Sequence, residues 1–333
     1  MTARPIAVYT EIDDTDLSGG IALLEQAGFD VRNLGTRDSE AIVAGAQGAE
    51  ALLVGYAEIS RDMLERLPDL KVIALMSMGF DNIDLEAATE HGVWVTNVPG
   101  AATEEVATHA LALILHSVRQ FGFYTTTSVA DADTWNSRAA VAPWRLSEQT
   151  LGILGLGKIG RKLAEYAKPL FGRIVGYDPL LPDTDDVHEQ LAELGVERMS
   201  LEEVRAVSNV LSLHMPLTPE TEEIVDAAFI EQMPERALIV NVSRGALLDS
   251  QAVADAVRSG RLSGAALDVL AVEPPPADEP LLDVDGIVIT PHVAYFSERT
   301  DAEYVRIQAQ NAVSRRERGA PDSPLNSPAQ PRT

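Results

Sequence analysis

Short runs of β-branched and apolar residues alternate with amphipathic stretches from one end of the chain to the other. This is the pattern of an α/β protein built on parallel sheets, whose strands are covered on both faces and so read as continuous apolar runs. The first half predicts strands over 6–9, 29–33, 51–55, 72–76 and 93–96, with helices over 20–27, 62–67 and 84–91 between them. That set alone makes a small doubly wound domain. A long apolar helix follows over 104–119, with Thr103 predicted as its N-cap. The stretch 122–145 carries two tryptophans, Trp135 and Trp144, and reads as an excursion from the core. A second strand series runs over 150–154, 173–177, 209–213, 237–242, 264–269 and 287–290. The tail 319–333 is rich in Pro, Ser and Asn and is expected to be flexible.

Six strands with intervening helices is the count of a Rossmann domain. The sequence LGILGLGKIG over 151–160 fits it, because its glycines close an apolar strand and open a helix. In that context Gly155 permits the tight turn, Gly157 lets the backbone approach a pyrophosphate, and Gly160 lets helix and strand lie close. The free N–H groups at the helix start then hold the anion. The next strand runs out at Tyr177-Asp178. A carboxylate there accepts hydrogen bonds from ribose hydroxyls and repels a 2′-phosphate, and no arginine follows over 179–186, so NAD is expected in preference to NADP.

In an open parallel sheet, ligands sit beyond the carboxyl ends of the strands. The residues just past the six predicted strands are Gly155, Asp178, His214-Met215-Pro216, Ser243-Arg244-Gly245, Asp268 and Pro291-His292, glycine or polar chemistry at each. Hydride exchange with a hydroxy acid needs a cation for the substrate carboxylate, which Arg provides in two-point fashion. It also needs a general acid/base for the hydroxyl proton, which imidazole suits. Arg244, Glu273 and His292 supply the cation, a carboxylate to orient the ring, and the ring.

Composition narrows the partners. The 333 residues include 26 Lys+Arg against 51 Asp+Glu, a formal charge of −25, and only four of the basic residues are lysine. Such an acidic chain lacks the positive footprint that nucleic acid or anionic lipid requires. The absence of cysteine excludes disulfides, thiolate metal sites, iron–sulfur clusters and cysteine nucleophiles. No other metal site is expected. The opening MTARPIAVYTEIDD has neither the basic n-region nor the apolar h-region of a secretion signal, and no apolar run approaches the ~20 residues of a membrane span, so a cytoplasmic protein is expected.

The segments NVSRGALLD (241–249), GAALDVLAVEPPPADEPLL (264–282), TPHVAY (290–295), SMGFDNIDLEAA (77–88) and NVPGAATEEVATHALALIL (97–115) resemble the signatures of the D-isomer-specific 2-hydroxyacid dehydrogenases, over about residues 45–315. The resemblance implies two doubly wound parallel-sheet domains. A Rossmann NAD-binding domain (98–293) would be inserted in a smaller flavodoxin-like substrate domain (1–97 plus 294–333), with hinges near Pro99 and Pro291 and a C-terminal helix over about 294–316. It implies Arg244 as the carboxylate- and carbonyl-binding residue, and His292, paired with Glu273, as the proton donor. Cofactor contacts are implied at Lys158, Ile159, Asp178, Met215, Pro216, Thr221, Val242 and Asp268, besides the glycines. Substrate contacts are implied at the Met78 and Gly79 amides in the loop from Ser77 to Asp81. Many members are homodimers, for which 122–145 would serve as contact.

HVAYFSERT is similar to the C-terminal-binding-protein-like branch, which brings Tyr295-Phe296 toward the substrate. Phosphoglycerate dehydrogenases usually carry Arg after the strand corresponding to 51–54, where this chain has Gly55-Tyr56. With Tyr56, Met76, Met78, Tyr295 and Phe296 as pocket walls, the expected substrate is a 2-oxo acid with an apolar or aromatic side chain. His109 is expected to be a helix-face residue packed against the other domain. The alternatives are an NAD(H)-sensing co-repressor-like binding protein of the same fold and a phosphoglycerate- or hydroxypyruvate-reductase-type enzyme.

Overall fold

The computed structural model describes residues 4–11, 15–126, 135 and 142–332. The chain divides into two compact units, Met1–Ala101 with Phe296–Thr333, and Ala102–Tyr295. Each is a parallel sheet covered by helices.

In the first unit the strands are β1 (Ile6–Tyr9), β2 (Asp30–Asn33), β3 (Ala49–Val54), β4 (Val72–Leu75) and β5 (Trp94–Thr96), in the order β2-β1-β3-β4-β5. All pairings are parallel. Their helices are α1 (Ser18–Gln26), α2 (Ser39–Gly45), α3 (Arg61–Arg66) and α4 (Leu85–Glu90). β4 is buried at every position, as a strand covered on both faces must be. The unforeseen helix is α2, seven residues long with only Ile42 and Val43 buried, too short to show a helical period. Its visible sequence mark is Asp38, whose side chain accepts from the Ala41 N–H at 2.8 Å as N-cap.

The second unit begins with α5 (Thr103–Arg119), α6 (Phe121–Thr126), β6 (Thr150–Leu154), α7 (Lys158–Ala167), β7 (Arg173–Tyr177), α8 (Asp185–Leu194) and β8 (Val196–Arg198). It continues with α9 (Leu201–Val207), β9 (Val210–Leu213), α10 (Ala227–Glu231), β10 (Ala237–Asn241), α11 (Ser250–Arg258), β11 (Leu262–Leu267) and β12 (Ile287–Ile289). The sheet order is β12-β11-β10-β9-β6-β7-β8, parallel throughout. The sheet has seven strands where six were expected. The additional β8 is a three-residue edge strand with only Val196 buried, so it has no apolar run to announce it. It supplies the third strand of the doubly wound order, whose direction reverses between β6 and β9.

Thr103 is the first residue of α5 and does not cap it, because the Val106 N–H already bonds the Ala102 carbonyl at 3.1 Å. Of the proposed excursion over 122–145, Gly122–Thr126 belongs to α6; residues 127–134 and 136–141 lie outside the described residues. No helix among the described residues is long and apolar enough to cross a membrane.

The last helix, α12 (Glu298–Arg318), returns to the first unit. Although strongly charged in sequence, it buries Tyr304, Val305, Ala309, Ala312 and Val313 against α1 and the sheet. Its buried Gln308 donates to the carbonyls of Val54 (3.2 Å) and Ala74 (2.9 Å), while Asn311 donates to that of Asn97 (3.2 Å). The Val54 carbonyl also accepts the Met76 N–H at 2.9 Å, so Gln308 uses its second lone pair.

The tail after Gly319 is docked along β5, contrary to the flexible segment its composition suggests. The Leu325 N–H donates to the Val95 carbonyl at 2.8 Å, and Pro324 bridges Thr96 antiparallel. The Asn326 side chain accepts from the Val95 N–H and donates to Thr89 Oγ1 and the Val93 carbonyl, each at 2.9 Å. Arg332 then reaches the carbonyls of Leu67 (2.7 Å) and Leu70 (3.0 Å). The edge strand would otherwise expose a row of unpaired groups, and the tail covers it. Asn326→Ala should therefore lower the unfolding free energy by about 1–3 kcal/mol, the range for leaving buried partners unsatisfied. An unchanged urea midpoint would show that the docking carries no stability.

Candidate active site

The glycine-rich turn is built around two close approaches. Gly155 has φ +97°, and a Cβ there would lie 2.5 Å from the His214 carbonyl oxygen; a Cβ on Gly160 would lie 2.0 Å from that of Gly155. Neither position tolerates a side chain, so strand, turn and α7 meet backbone to backbone. Gly157 is different. It is exposed, and nothing lies within 4 Å of where its Cβ would be. It is the N-terminal boundary of α7 and gives no side-chain cap, so no capping side chain occupies the first N–H groups of the helix, from Lys158 and Ile159 onward, which suits an anion.

Asp178 is set at the end of β7 by two backbone donors, Leu156 N–H to Oδ2 and Leu180 N–H to Oδ1, each 2.9 Å. Each carboxylate oxygen keeps acceptor capacity. Arg198, on the unforeseen β8, braces the loop beyond by donating to the carbonyls of Leu181 (2.6 Å), Pro182 (3.3 Å) and Asp178 (3.3 Å). The residues present thus fit a dinucleotide: an anion cradle at Gly157 and a fixed carboxylate one strand over.

Past β9, Met215 is buried and its carbonyl accepts from Ser243 Oγ at 2.6 Å. The Pro216 carbonyl accepts from Thr221 Oγ1 at 2.8 Å, closing the 216–221 turn, and Val242 is buried at the end of β10. His214, unassigned in the sequence reading beyond its place at a strand end, donates its N–H to the Leu154 carbonyl at 2.7 Å and pairs Nε2 with Ser212 Oγ at 2.8 Å. The residue is half-buried, and desolvation of its ring pushes the pKa down to about 4.

Arg244 follows β10. Its Nη1 donates to the Ser243 carbonyl at 2.9 Å, and its own carbonyl accepts from the buried Asn241 side chain at 2.8 Å. Gly245 lets this loop lie against the backbone at Leu270, where a Cβ would come within 1.9 Å of the Leu270 carbonyl carbon. Leu270 in turn donates its N–H to Glu273 Oε1 at 2.8 Å, and Glu273 Oε2 meets His292 Nδ1 at 2.6 Å. Partial burial alone would raise the Glu273 pKa. The His292 hydrogen bond, the Leu270 N–H and the charges of His292 and Arg244 outweigh it and hold the carboxyl below its ordinary range. Glu273 therefore stays ionised, and with Nδ1 engaged, Nε2 is the ring atom of His292 left to face a ligand. The ring of Tyr295 stands edge-on to His292, centroids 6.4 Å apart.

His292 has φ +53°, a left-handed conformation that costs a branched-free side chain on the order of 1–3 kcal/mol and persists only when its surroundings dictate it. Asp268 does so. Its carbonyl accepts the His292 N–H at 2.8 Å, and its carboxylate accepts those of Val293 (3.0 Å) and Ala294 (2.9 Å) and the Thr290 hydroxyl (2.5 Å). The Asp268 residue is 1% exposed. Thr290 also lies 3.0 Å from His109 Nε2, so His109 finds a partner within its own unit. Sequence reasoning missed Thr290, whose only mark is its place before Pro291-His292.

In the first unit, the loop after β4 is shaped by Ser77 Oγ donating to the Gly79 carbonyl (2.7 Å) and by Asn97 donating to that of Met78 (2.8 Å). Tyr56, after β3, is 54% exposed with the Arg37 guanidinium 5.0 Å from its ring centroid. Among the described residues, no three His, Asp or Glu side chains group as metal ligands.

Residues 111–294 match the model of the D-isomer specific 2-hydroxyacid dehydrogenase family, NAD binding domain. A glyoxylate reductase of Aeropyrum pernix is 36% identical over 281 residues, 83% of this chain and 82% of that protein. A D-3-phosphoglycerate dehydrogenase of Mycobacterium leprae is 35% identical over 271 residues, but the matched region spans only 48% of its length against 79% of this chain. The crystal structure of a glyoxylate reductase from Paecilomyes thermophila superposes with a TM-score of 0.86 at 25% identity, covering 97% of this chain and 99% of that one.

The His214 environment makes a stability prediction. In the unfolded chain this ring takes up a proton near pH 6.5, in the folded chain only near pH 4. The unfolded state binds more protons between those values, so stability falls as the pH drops through that window, by about 3 kcal/mol in all. His214→Gln should flatten the fall of the urea midpoint between pH 6.5 and 4 relative to wild type. Parallel profiles would count against a neutral buried ring.

Proposed function

Because the chain belongs to the D-isomer-specific 2-hydroxyacid dehydrogenase family, and so is a D-2-hydroxyacid dehydrogenase that uses a nicotinamide cofactor, we propose that Arg244, Glu273 and His292 carry its reaction. The observation that bears most weight is the 2.6 Å contact between His292 Nδ1 and an ionised Glu273 beside Arg244. When bound, the cofactor supplies the hydride for reduction of a 2-oxo acid or accepts it from a D-2-hydroxy acid. Arg244 holds the substrate carboxylate and polarises the carbonyl. His292 gives a proton from Nε2 to the carbonyl oxygen in reduction and takes it back in oxidation. Glu273 fixes the orientation of the ring through Nδ1.

For the cofactor, the pyrophosphate is assigned to the turn of Gly155, Gly157, Lys158, Ile159 and Gly160, the ribose to Asp178, and the remaining contacts to Met215, Pro216, Thr221, Val242 and Asp268. Negative charge at Asp178 supports NADH over NADPH. Substrate contacts are assigned to Ser77 and the amides of Met78 and Gly79, with Tyr56 and Tyr295 as walls. Gly55-Tyr56 and the aromatic walls support an uncharged, apolar or aromatic 2-oxo acid, and the relatives named glyoxylate reductase bring small 2-oxo acids into the same test. Exposed Phe121 (52%) and Trp135 (76%) support association of two copies through the second unit, which sedimentation would register as twice the chain mass.

Wild type should oxidise NADH with at least one of phenylpyruvate, 2-oxoisocaproate, glyoxylate and hydroxypyruvate. His292→Ala should lose at least ~10²-fold in kcat while its NADH affinity holds. Absence of turnover with any oxo acid, together with normal NADH binding, would favour a cofactor-sensing binding protein. Fastest turnover of 3-phosphohydroxypyruvate would overturn the uncharged-substrate assignment. Asp178→Ser should narrow the preference for NADH.

The reaction also sets a pH dependence. Glu273 keeps its charge through neutral pH, so the proton exchanged with the substrate is that of His292. Reduction requires the ring protonated and oxidation requires it neutral. The optimum for reduction should therefore lie at lower pH than that for oxidation, and coincident profiles would argue against His292 as the proton carrier.

A further inference from the structure

His109 lies on α5, far in sequence from the loop that carries His292, and no role follows for it from the reaction itself. Its Nε2 sits 3.0 Å from Thr290 Oγ1 and 3.5 Å from Asp268 Oδ1, and Thr290 Oγ1 sits 2.5 Å from that same carboxylate oxygen. Counting protons settles the direction of this chain. Asp268 Oδ1 already accepts the Val293 N–H at 3.0 Å, so it is an acceptor, and the single hydroxyl proton of Thr290 must point to it. Thr290 Oγ1 is then left with lone pairs alone toward His109, and the imidazole must carry its proton on Nε2 and donate it. A hydroxyl that accepts a hydrogen bond is also the better donor, so each bond in the series supports the next.

The chain ends on the backbone of the proton carrier. Three consecutive N–H groups, those of His292, Val293 and Ala294, converge on Asp268, the first on its carbonyl at 2.8 Å and the others on its carboxylate. With these bonds in place His292 is held at φ +53°, and from that conformation Nδ1 meets Glu273 Oε2. Asp268 is 1% exposed, so water cannot replace a donor lost from its carboxylate. His109, by contrast, is 23% exposed, at the outer end of the series.

We infer that His109 is a positioning residue: by donating from Nε2 to Thr290 Oγ1 it strengthens the hydrogen bond the threonine gives Asp268 and so helps hold the left-handed loop conformation that aligns His292 with Glu273. His109 and Thr290 form a bridge from α5 to the loop after β12, and neither touches the reacting atoms. The inference rests on His292 being the proton carrier of the proposed reaction.

Paired substitutions separate proton donation from packing. His109→Leu and Thr290→Val remove a link; His109→Gln and Thr290→Ser keep a donor or hydroxyl at the same place. The first two should lower kcat by on the order of 10²-fold, the scale on which a small misplacement of a reacting group acts. NADH affinity should stay within about twofold, since the glycine turn and Asp178 are untouched. The conservative pair should restore most of the rate. A readout independent of turnover is the Nδ1 proton of His292 in nitrogen-correlated NMR spectra, tractable with six histidines in the chain. Its downfield resonance, from the short bond to Glu273, should broaden or vanish in His109→Leu and Thr290→Val and persist in the other two. If His109→Leu does not fold, the Val and Ser variants of Thr290 decide alone. Equal spectra and rates in all four variants would overturn the inference, as would equal losses in the Gln and Leu variants, which would reduce His109 to a space-filler. Should wild type turn over no oxo acid, the proposed function fails, while the His292 resonance still answers whether His109 positions that ring.

Discussion

Every strand in both sheets is parallel to its neighbours, and this constraint governs the rest of the molecule. Parallel strands need a crossover after each strand, so all carboxyl ends open on the same edge and all connecting loops start there. Residues scattered from Gly155 to His292 are thereby gathered on one rim of the second unit's sheet without any being near another in sequence. The same constraint buries both faces of the central strands, which makes apolar runs such as those of β4 and β10 obligatory and leaves polar chemistry nowhere to go but the strand ends.

On that rim, adjacent loops hold one another. Gly245 admits the Arg244 loop to the Leu270 backbone, Leu270 holds one oxygen of Glu273, and the other oxygen holds His292. Asp268 holds His292 from behind through backbone donors. The ion pair gains from this arrangement, because its partners need not be ordered when a ligand arrives. It also reconciles an overall charge of −25 with anionic ligands. The long-range field of such a chain repels a dinucleotide and an oxo acid alike, so attraction has to be local: the uncapped N–H groups at the start of α7 and the guanidinium of Arg244.

Much of this was legible beforehand. The strand runs, the glycine turn with its downstream Asp178, and the three residues Arg244, Glu273 and His292 all leave local marks, since each needs a particular residue type at a strand end. What escaped was of two kinds. Elements with little buried surface, such as β8 and α2, have too few apolar positions to form a pattern. Contacts made between distant segments leave no local mark at all: Asn326 looks like any loop asparagine until β5 lies beside it, and Arg198 like any edge charge until the loop after β7 folds over it.

The sequence by itself therefore determined the fold class and most of the two strand series, because parallel-sheet burial acts on residue type and short-range spacing. Tertiary structure alone decided orientation. It buried Asp268, placed His109 against Thr290, set His292 in the left-handed region and brought the tail onto an open sheet edge. Those outcomes depend on which donors and acceptors meet across separations of tens to hundreds of residues. A hydrogen bond reads distance and direction, and neither is written in the order of the residues.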